Sequence, residues 1–250
     1  MLEIRNLTAG YRRKTILCHL SVDFEAGRLT AVVGPNGCGK STLLKAILGI
    51  LPQMEGAVVL EGEALPGARD PLRVARRVAY LPQGQRVPDM TVEQMVLHGR
   101  FPYLVYPRGY TDFDRALARA AMERVGIGHL AAAPVATLSG GLRQTAYLAM
   151  ALAQDTPYLL LDEPSTYLDV AHQVALMRLL RELSAEGRGV VAVLHDLPLA
   201  LTYADRVVVM DEGQIVAQGT PRDVVQGGAL ESVFGVSVAE ADGAYFCRLP

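Results

Sequence analysis

The chain has 250 residues, 50% of them hydrophobic, with 24 basic and 26 acidic side chains and a formal net charge of −2. That length allows one large domain or a core with a subdomain, and a charge so near neutral gives no support for a nucleic-acid partner, which ordinarily shows as a basic excess. Three cysteines (Cys18, Cys38, Cys247) form neither a CxxC pair nor a metal-ligand spacing, a pattern that fits a reducing compartment.

The N-terminus, MLEIRNLTAG, carries Glu3 and no apolar run, so it does not read as a signal peptide. No apolar segment approaches the roughly 20 residues of a membrane helix. A soluble chain is expected, with any membrane role reached through a partner. Leu2 and Ile4, then Leu20, Val22 and Phe24, alternate with polar residues, which predicts antiparallel strands with one wet face. Leu29–Val33 is a short apolar run that enters the glycine-rich stretch Gly34–Gly39. Leu43, Leu44, Ile47 and Leu48 then recur at helical spacing up to Gly49, and this strand–loop–helix unit opens a parallel α/β core.

Further buried strands are predicted at Val78–Leu81, Tyr158–Leu161, Val190–Leu194 and Val207–Met210. The last turns through Asp211-Glu212-Gly213 into Ile215-Val216 as a hairpin. Between the strands at 78 and 158 the pattern is helical. Thr91 and Gln94 have capping-box spacing. Asp112–Val125 places Leu117, Ala121 and Val125 on one face before Gly126, and Gly140–Gln154 is a third helix, rich in Ala and Leu. This divides a single domain, 1–225, into a core (1–85 and 155–225) and a helical insertion at about 86–154. Val170–Leu183 is a helix that returns to the core, and 226–250 is a short C-terminal tail with no role assigned to it.

Gly34-Pro-Asn36-Gly37-Cys38-Gly39-Lys40-Ser41-Thr42 fits the phosphate-loop pattern, in the required place between a strand and a helix. Its glycines let backbone N–H groups converge on phosphate oxygens, and the helix N-terminus favours negative charge. Lys40 is expected to reach the β- and γ-phosphates, and the Ser41 hydroxyl to coordinate Mg²⁺. Cys38 reads as packing within the loop, with alkylation of its thiol as the alternative. At the end of the apolar strand Tyr158–Leu161, Asp162 is placed to order Mg²⁺ or its waters, and Glu163 to polarise an attacking water. An Asp-Glu pair alone would read as a loop start or helix cap; beside a phosphate loop it reads as the second half of a nucleotide site.

The stretch Leu138-Ser139-Gly140-Gly141-Leu142-Arg143-Gln144 combines a helix N-cap with glycines, which also makes an anion site. Lying about twenty residues before that apolar strand, it resembles the signature motif of ABC ATPases, and the resemblance runs from Leu2 to about Val225. It implies an α/β fold: a P-loop ATPase core with a mainly parallel sheet, an N-terminal antiparallel β subdomain and an inserted α-helical subdomain. It also implies roles by position. Gln83 resembles the Q-loop glutamine that contacts Mg²⁺ and the water. Ser165–Asp169 resembles the D-loop at the dimer interface, and His195 the switch histidine on the γ-phosphate. Tyr11 resembles the aromatic that stacks on adenine. Leu142 and Thr145 depart from the residues frequent at their positions, while Ser139 and Gly141, expected to touch phosphate, are intact.

The resemblance further implies ATP and Mg²⁺ as cofactors and a second copy of the chain as partner, each γ-phosphate being clamped between two copies. The segment Met95–Tyr103, the motif STYLD and the stretches around His195–Ala200 and Gln218–Pro221 are similar to subunits of importers of iron–siderophore complexes, haem and vitamin B12. The expected place is therefore the cytoplasmic face of the membrane, peripheral, against permease subunits fed by a substrate-binding protein. The alternatives are a soluble ABC ATPase, such as one assisting iron–sulfur cluster assembly, or an importer of another substrate.

Overall fold

The computed structural model describes residues 1–11, 14–51, 53–84, 87–106 and 109–248, with the backbone alone at 53 and 54. Strand β1 (Leu2–Tyr11) buries Leu2, Ile4, Leu7 and Ala9, so its core face passes from even to odd positions after Ile4. Asn6, at φ 49°, lies in that register shift, and Asn accepts left-handed backbone more readily than most residues. β1 pairs antiparallel with β2 (Lys14–Phe24), which buries Leu20, Val22 and Phe24 as the alternation predicts. Next come β3 (Leu29–Val33), helix α1 (Lys40–Ile47), β4 (Gln53–Leu60) and β5 (Glu63–Ala64). The first sheet has the order β2-β1-β4-β5.

The chain continues through α2 (Pro71–Ala75), β6 (Val78–Leu81), α3 (Val92–Leu97), α4 (Asp112–Arg124), α5 (Gly140–Ala153), β7 (Tyr158–Asp162), α6 (Val170–Ala185), β8 (Gly189–Val193), α7 (Leu197–Tyr203), β9 (Arg206–Asp211) and β10 (Gln214–Gly219). The second sheet has the order β10-β9-β3-β8-β7-β6, parallel except for β10, which makes the expected hairpin with β9. Successive residues of its strands enter opposite cores. Ala31, Val33, Leu159, Leu161, Val190 and Ala192 pack with the helical insertion, α6 and α7. Val32, Leu160, Val191, Val193 and Val208 pack with α1 and the N-terminal sheet. Burial on both faces is why these strands read as unbroken apolar runs. Their carboxyl ends all lie on one edge, where ligands of parallel sheets bind.

Helices α3, α4 and α5 stand between β6 and β7 and pack on one another. Thr91 caps α3 with the capping box to Gln94. On α4 the buried residues are Asp114, Ala118, Ala121 and Met122, while Leu117 and Val125 are only half-buried, which corrects the face expected from apolar spacing. The face is rotated because Asp114 turns inward to Arg100. Arg100 is 5% exposed and donates through Nε to Asp114 Oδ1 at 2.9 Å. Its Nη1 donates to the carbonyls of Ala153 and Gln154, at the C-terminus of α5, each at 3.1 Å.

After β10 come α8 (Pro221–Gln226), α9 (Ala229–Phe234) and the antiparallel pair β11 (Ser237–Ala241) and β12 (Ala244–Arg248). This C-terminal stretch is folded against the core. Leu230 is buried, Phe234, Val238 and Tyr245 pack on the main apolar cluster, and the Tyr245 N–H donates to Thr202 Oγ1 of α7 at 3.2 Å.

Candidate active site

The loop after β3 closes on α1 through Gly39, whose φ of 111° is open to glycine and strained for other residues. With Gly39 as N-cap, the cap residue has no side chain to take up the N–H groups of the first turn of α1, an end that favours an anion. Lys40, the first helical residue, is buried, and its Nζ donates to the carbonyls of Gly34 at 2.7 Å and Pro35 at 2.9 Å. The ammonium is thus folded across its own loop.

β7 carries Asp162 to the same edge, 1% exposed. Its Oδ1 accepts from the Ser41 hydroxyl at 2.8 Å and its Oδ2 from the Tyr80 hydroxyl at 3.2 Å. Burial pushes the Asp162 carboxyl above its ordinary value, against the lowering effect of those two hydrogen bonds. Burial, with the Asp162 charge added, likewise raises Tyr80. The hydroxyl and carboxylate are hard oxygen donors of the kind Mg²⁺ takes, and among the described residues no cluster of His, Cys, Asp and Glu could hold a metal unaided. The set therefore fits an ion whose remaining ligands are phosphate and water.

Glu163 follows at φ 53°, a left-handed conformation uncommon for a non-glycine residue. Its Oε2 accepts from Gln83 Nε2 at 2.5 Å, and its Oε1 lies 2.5 Å from His195 Nε2. Gln83 comes from the end of β6 and His195 from the end of β8, so three parallel strands supply this group. The cleft in front of it is lined by Ile16, Asn36, Gly37, Gly39, Lys40, Ser41, Thr42, Gln83, Glu163 and His195. Such a cleft offers amide donors and one ammonium to a phosphate chain, and a carboxylate to a water at its far end.

Other expected residues lie elsewhere. Tyr11 ends β1, is 44% exposed, and its hydroxyl is near enough to Tyr80 to help raise it. Gly34 lies buried under the loop. Cys38 is not among the residues that line the cleft: its thiol is buried in the second core, 4.0 Å from Lys40 Nζ, and burial pushes it up. Ser139 caps α5, its hydroxyl accepting from the Leu142 N–H at 3.3 Å. Ser139, Gly140 and Gly141 do not line the phosphate cleft; Gly140 opens onto a neighbouring one shared with Gln83, Glu163, Arg143 and Tyr167. Asp169 is exposed as the N-cap of α6, where hydrogen bonds from the His172 N–H and ring hold its carboxyl below the usual range.

Three contributors escaped sequence reasoning. Ile16 lines the cleft from β2. Tyr80 holds Asp162, and its only sequence signal was its place on the strand leading to Gln83. Gly213, in the β9–β10 turn, donates its N–H to the Cys38 carbonyl at 2.9 Å and accepts from the Cys18 N–H at 3.3 Å, bracing the loop. A Cβ at Gly213 would lie 1.8 Å from the Ile16 carbonyl.

Comparison with known proteins agrees with this geometry. The ABC transporter family model matches residues 17–166. The ferric enterobactin transport ATP-binding protein of Escherichia coli (strain K12) is 43% identical, over 92% of this chain and 85% of its own. The hemin import ATP-binding protein of Nocardia farcinica (strain IFM 10152) is 47% identical, over 85% of this chain and 74% of its own. Among solved structures, the dimeric structure of a bacterial ABC transporter cassette superposes with a TM-score of 0.77 at 25% identity, covering 89% of this chain and 99% of that one. Strand ends that gather a phosphate loop, a buried aspartate and a left-handed glutamate, in a chain so related to transport ATPases over most of its length, show that it belongs to the ABC transporter family, as an ATP-binding and ATP-hydrolysing subunit.

Proposed function

We propose that this chain powers the uptake of an iron–siderophore, haem or cobalamin-type substrate through a separate permease, as a peripheral subunit on the cytoplasmic face of the membrane. The observation that carries the substrate class is the 43–47% identity to ATP-binding proteins of ferric enterobactin and hemin transport. Among the described residues no helix is long and apolar enough to cross a membrane; in this reading the substrate path is that of the separate permease. Permease contact is assigned to the stretch Gln83–Tyr110, where Phe101, Val105 and Tyr106 stand exposed. Gln85, Arg86, Pro107 and Arg108 of that stretch lie outside the described residues.

In the proposed cycle the loop N–H groups and Lys40 bind the phosphates of ATP, Lys40 leaving the Gly34 and Pro35 carbonyls to do so. Tyr11 stacks on adenine. Bound Mg²⁺, held by Ser41 and Asp162 with Gln83 nearby, would neutralise charge on the phosphate oxygens. Glu163 accepts a proton from the attacking water, with Gln83 and His195 fixing its carboxylate. The Ser139–Gly141 turn has no place in the cleft of its own chain, which supports a second copy supplying it to complete the cage around the γ-phosphate. Asp169 and the D-loop would lie on that interface. Two such copies act as an ATP-sandwich homodimer.

The test is uptake. Cells lacking the chain should fail to import an iron chelate, haem or cobalamin, and Lys40→Ala should not restore transport, because hydrolysis is nearly abolished. Intact uptake of all three, with a chain that fractionates free of membranes, would move the assignment to a soluble ABC ATPase.

A further inference from the structure

A buried hydrogen bond joins the signature helix to the loop that carries Glu163. Gln144, in the second turn of α5, is 9% exposed and donates through Nε2 to the Pro164 carbonyl at 3.2 Å. Pro164 directly follows Glu163, whose φ of 53° is a conformation that persists only where its surroundings hold it. Within the loop, the Glu163 carbonyl accepts from the Thr166 N–H at 3.3 Å, so the next peptide plane is fixed from outside, by Gln144. The contact is reinforced beside it. A Cβ on Gly140 would touch Tyr167 Cβ at 3.4 Å, and one on Gly141 would meet Leu168 Cδ2 at 3.3 Å, so the first turn of α5 rests directly on the D-loop of its own chain. Gln144 also lines the cleft that holds Gly140, Glu163 and Tyr167.

We propose that Gln144 is a positioning residue for hydrolysis: its amide sets the backbone of Glu163 and ties that base to the first turn of α5. The proposal rests on the two-copy reading above. There, the Ser139–Gly141 turn meets the nucleotide of the other copy, while Glu163 serves the nucleotide of its own. The Gln144 bond then links the two sites of the dimer: docking of α5 on one ATP presses on the loop that carries the base for the other. Nothing in the bond touches phosphate, so it acts on the hydrolytic step and on cooperativity, and leaves nucleotide affinity alone.

Two variants share only the loss of the donor: Gln144→Met, which keeps length and apolar packing, and Gln144→Glu, which keeps size and polarity. Steady-state hydrolysis is measured over a range of ATP concentrations on the purified chain with its permease. Nucleotide affinity of the chain alone and its melting temperature are measured beside it. Both variants should bind ATP as the parent does, lose about tenfold in kcat, and show a Hill coefficient that falls toward unity. If either variant melts so low that it cannot be assayed, the other still decides. Parental kcat and cooperativity in a folded variant would overturn the proposal, as would a defect seen only in melting temperature or only in one variant. The two-copy reading is checked separately by the ATP-dependent dimer of Glu163→Gln. If that dimer forms and Gln144→Met hydrolyses normally, only the inference fails; if the dimer never forms, the reading beneath it fails.

Discussion

Replacing Arg100 by Met removes a buried charge while keeping most of the side chain's volume. Arg100 and Asp114 are 5% and 6% exposed, so the change leaves a carboxylate inside the helical insertion with Thr111 as its remaining hydrogen-bond donor. It also strips the Ala153 and Gln154 carbonyls at the end of α5 of their donor, and takes the guanidinium from the Tyr103 ring, 4.0 Å from its centroid. Breaking a buried pair by deleting one partner costs about 3–5 kcal/mol, and the two Thr111 hydrogen bonds place this case near about 3. Urea unfolding of the nucleotide-free protein measures it. The pH dependence carries a sign. Burial pushes the Asp114 carboxyl up, but the hydrogen bonds from Thr111 and Arg100 outweigh it, so the group sits below its ordinary value. A folded-state value below the unfolded one stabilises at neutral pH, and that stabilisation is lost as pH falls through the depressed value. Without Arg100 the carboxyl rises and has less stabilisation to lose on protonation, so the destabilisation should be greatest at neutral pH and shrink as pH falls, and Asp114→Asn in the same chain should recover part of the loss. A destabilisation under about 1 kcal/mol that is the same at neutral and acid pH would refute the reasoning, since that is the range of exposed pairs.

Other expectations follow from the site. Tyr80→Phe deletes one of the two hydroxyls on Asp162, so a carboxyl already raised by burial should rise further; the acid limb of the ATPase pH profile should move to higher pH, with stability changed by about 1 kcal/mol. In nucleotide-titration measurements, Tyr11→Ala should weaken binding by about 1–2 kcal/mol while Tyr11→Phe should not, as stacking on a base requires. Cys38, buried and raised, should be alkylated far more slowly than exposed Cys247 in the folded protein, read by mass spectrometry of digested protein.

How much of this was legible depended on whether chemistry left freedom of spacing. The phosphate loop was readable because its glycines, Lys40 and Ser41 have fixed stations between a strand and a helix. The parallel strands were readable because burial on both faces leaves unbroken apolar runs. The buried stripe of α4 was legible only in part: Ala121 was on it, but Asp114 was not read at all, because a carboxylate signals burial only through its partner, and that lay fourteen residues away. Asn6 hid in a similar way, since the alternation of Leu2 and Ile4 does not announce the bulge that shifts burial to Leu7. Gly213 and Gln144 act through backbone carbonyls distant in sequence, and neither a turn glycine nor a polar helix residue signals such a contact. The C-terminal hairpin has short, half-buried strands whose apolar residues, Val238 and Tyr245, are spent against α7 and the core and form no core of their own.

The most direct test of the shared active site uses Glu163→Gln, which keeps the side chain's size and removes the carboxylate that would accept the proton. With ATP and Mg²⁺ bound and hydrolysis slowed, the closed state should accumulate as a dimer in size-exclusion chromatography with light scattering. Adding Ser139→Arg, which places bulk and charge on the turn offered to the partner, should return the protein to a monomer that still binds ATP. A Glu163→Gln protein that binds ATP yet stays monomeric at high concentration, with the permease present as well as without it, would contradict the account.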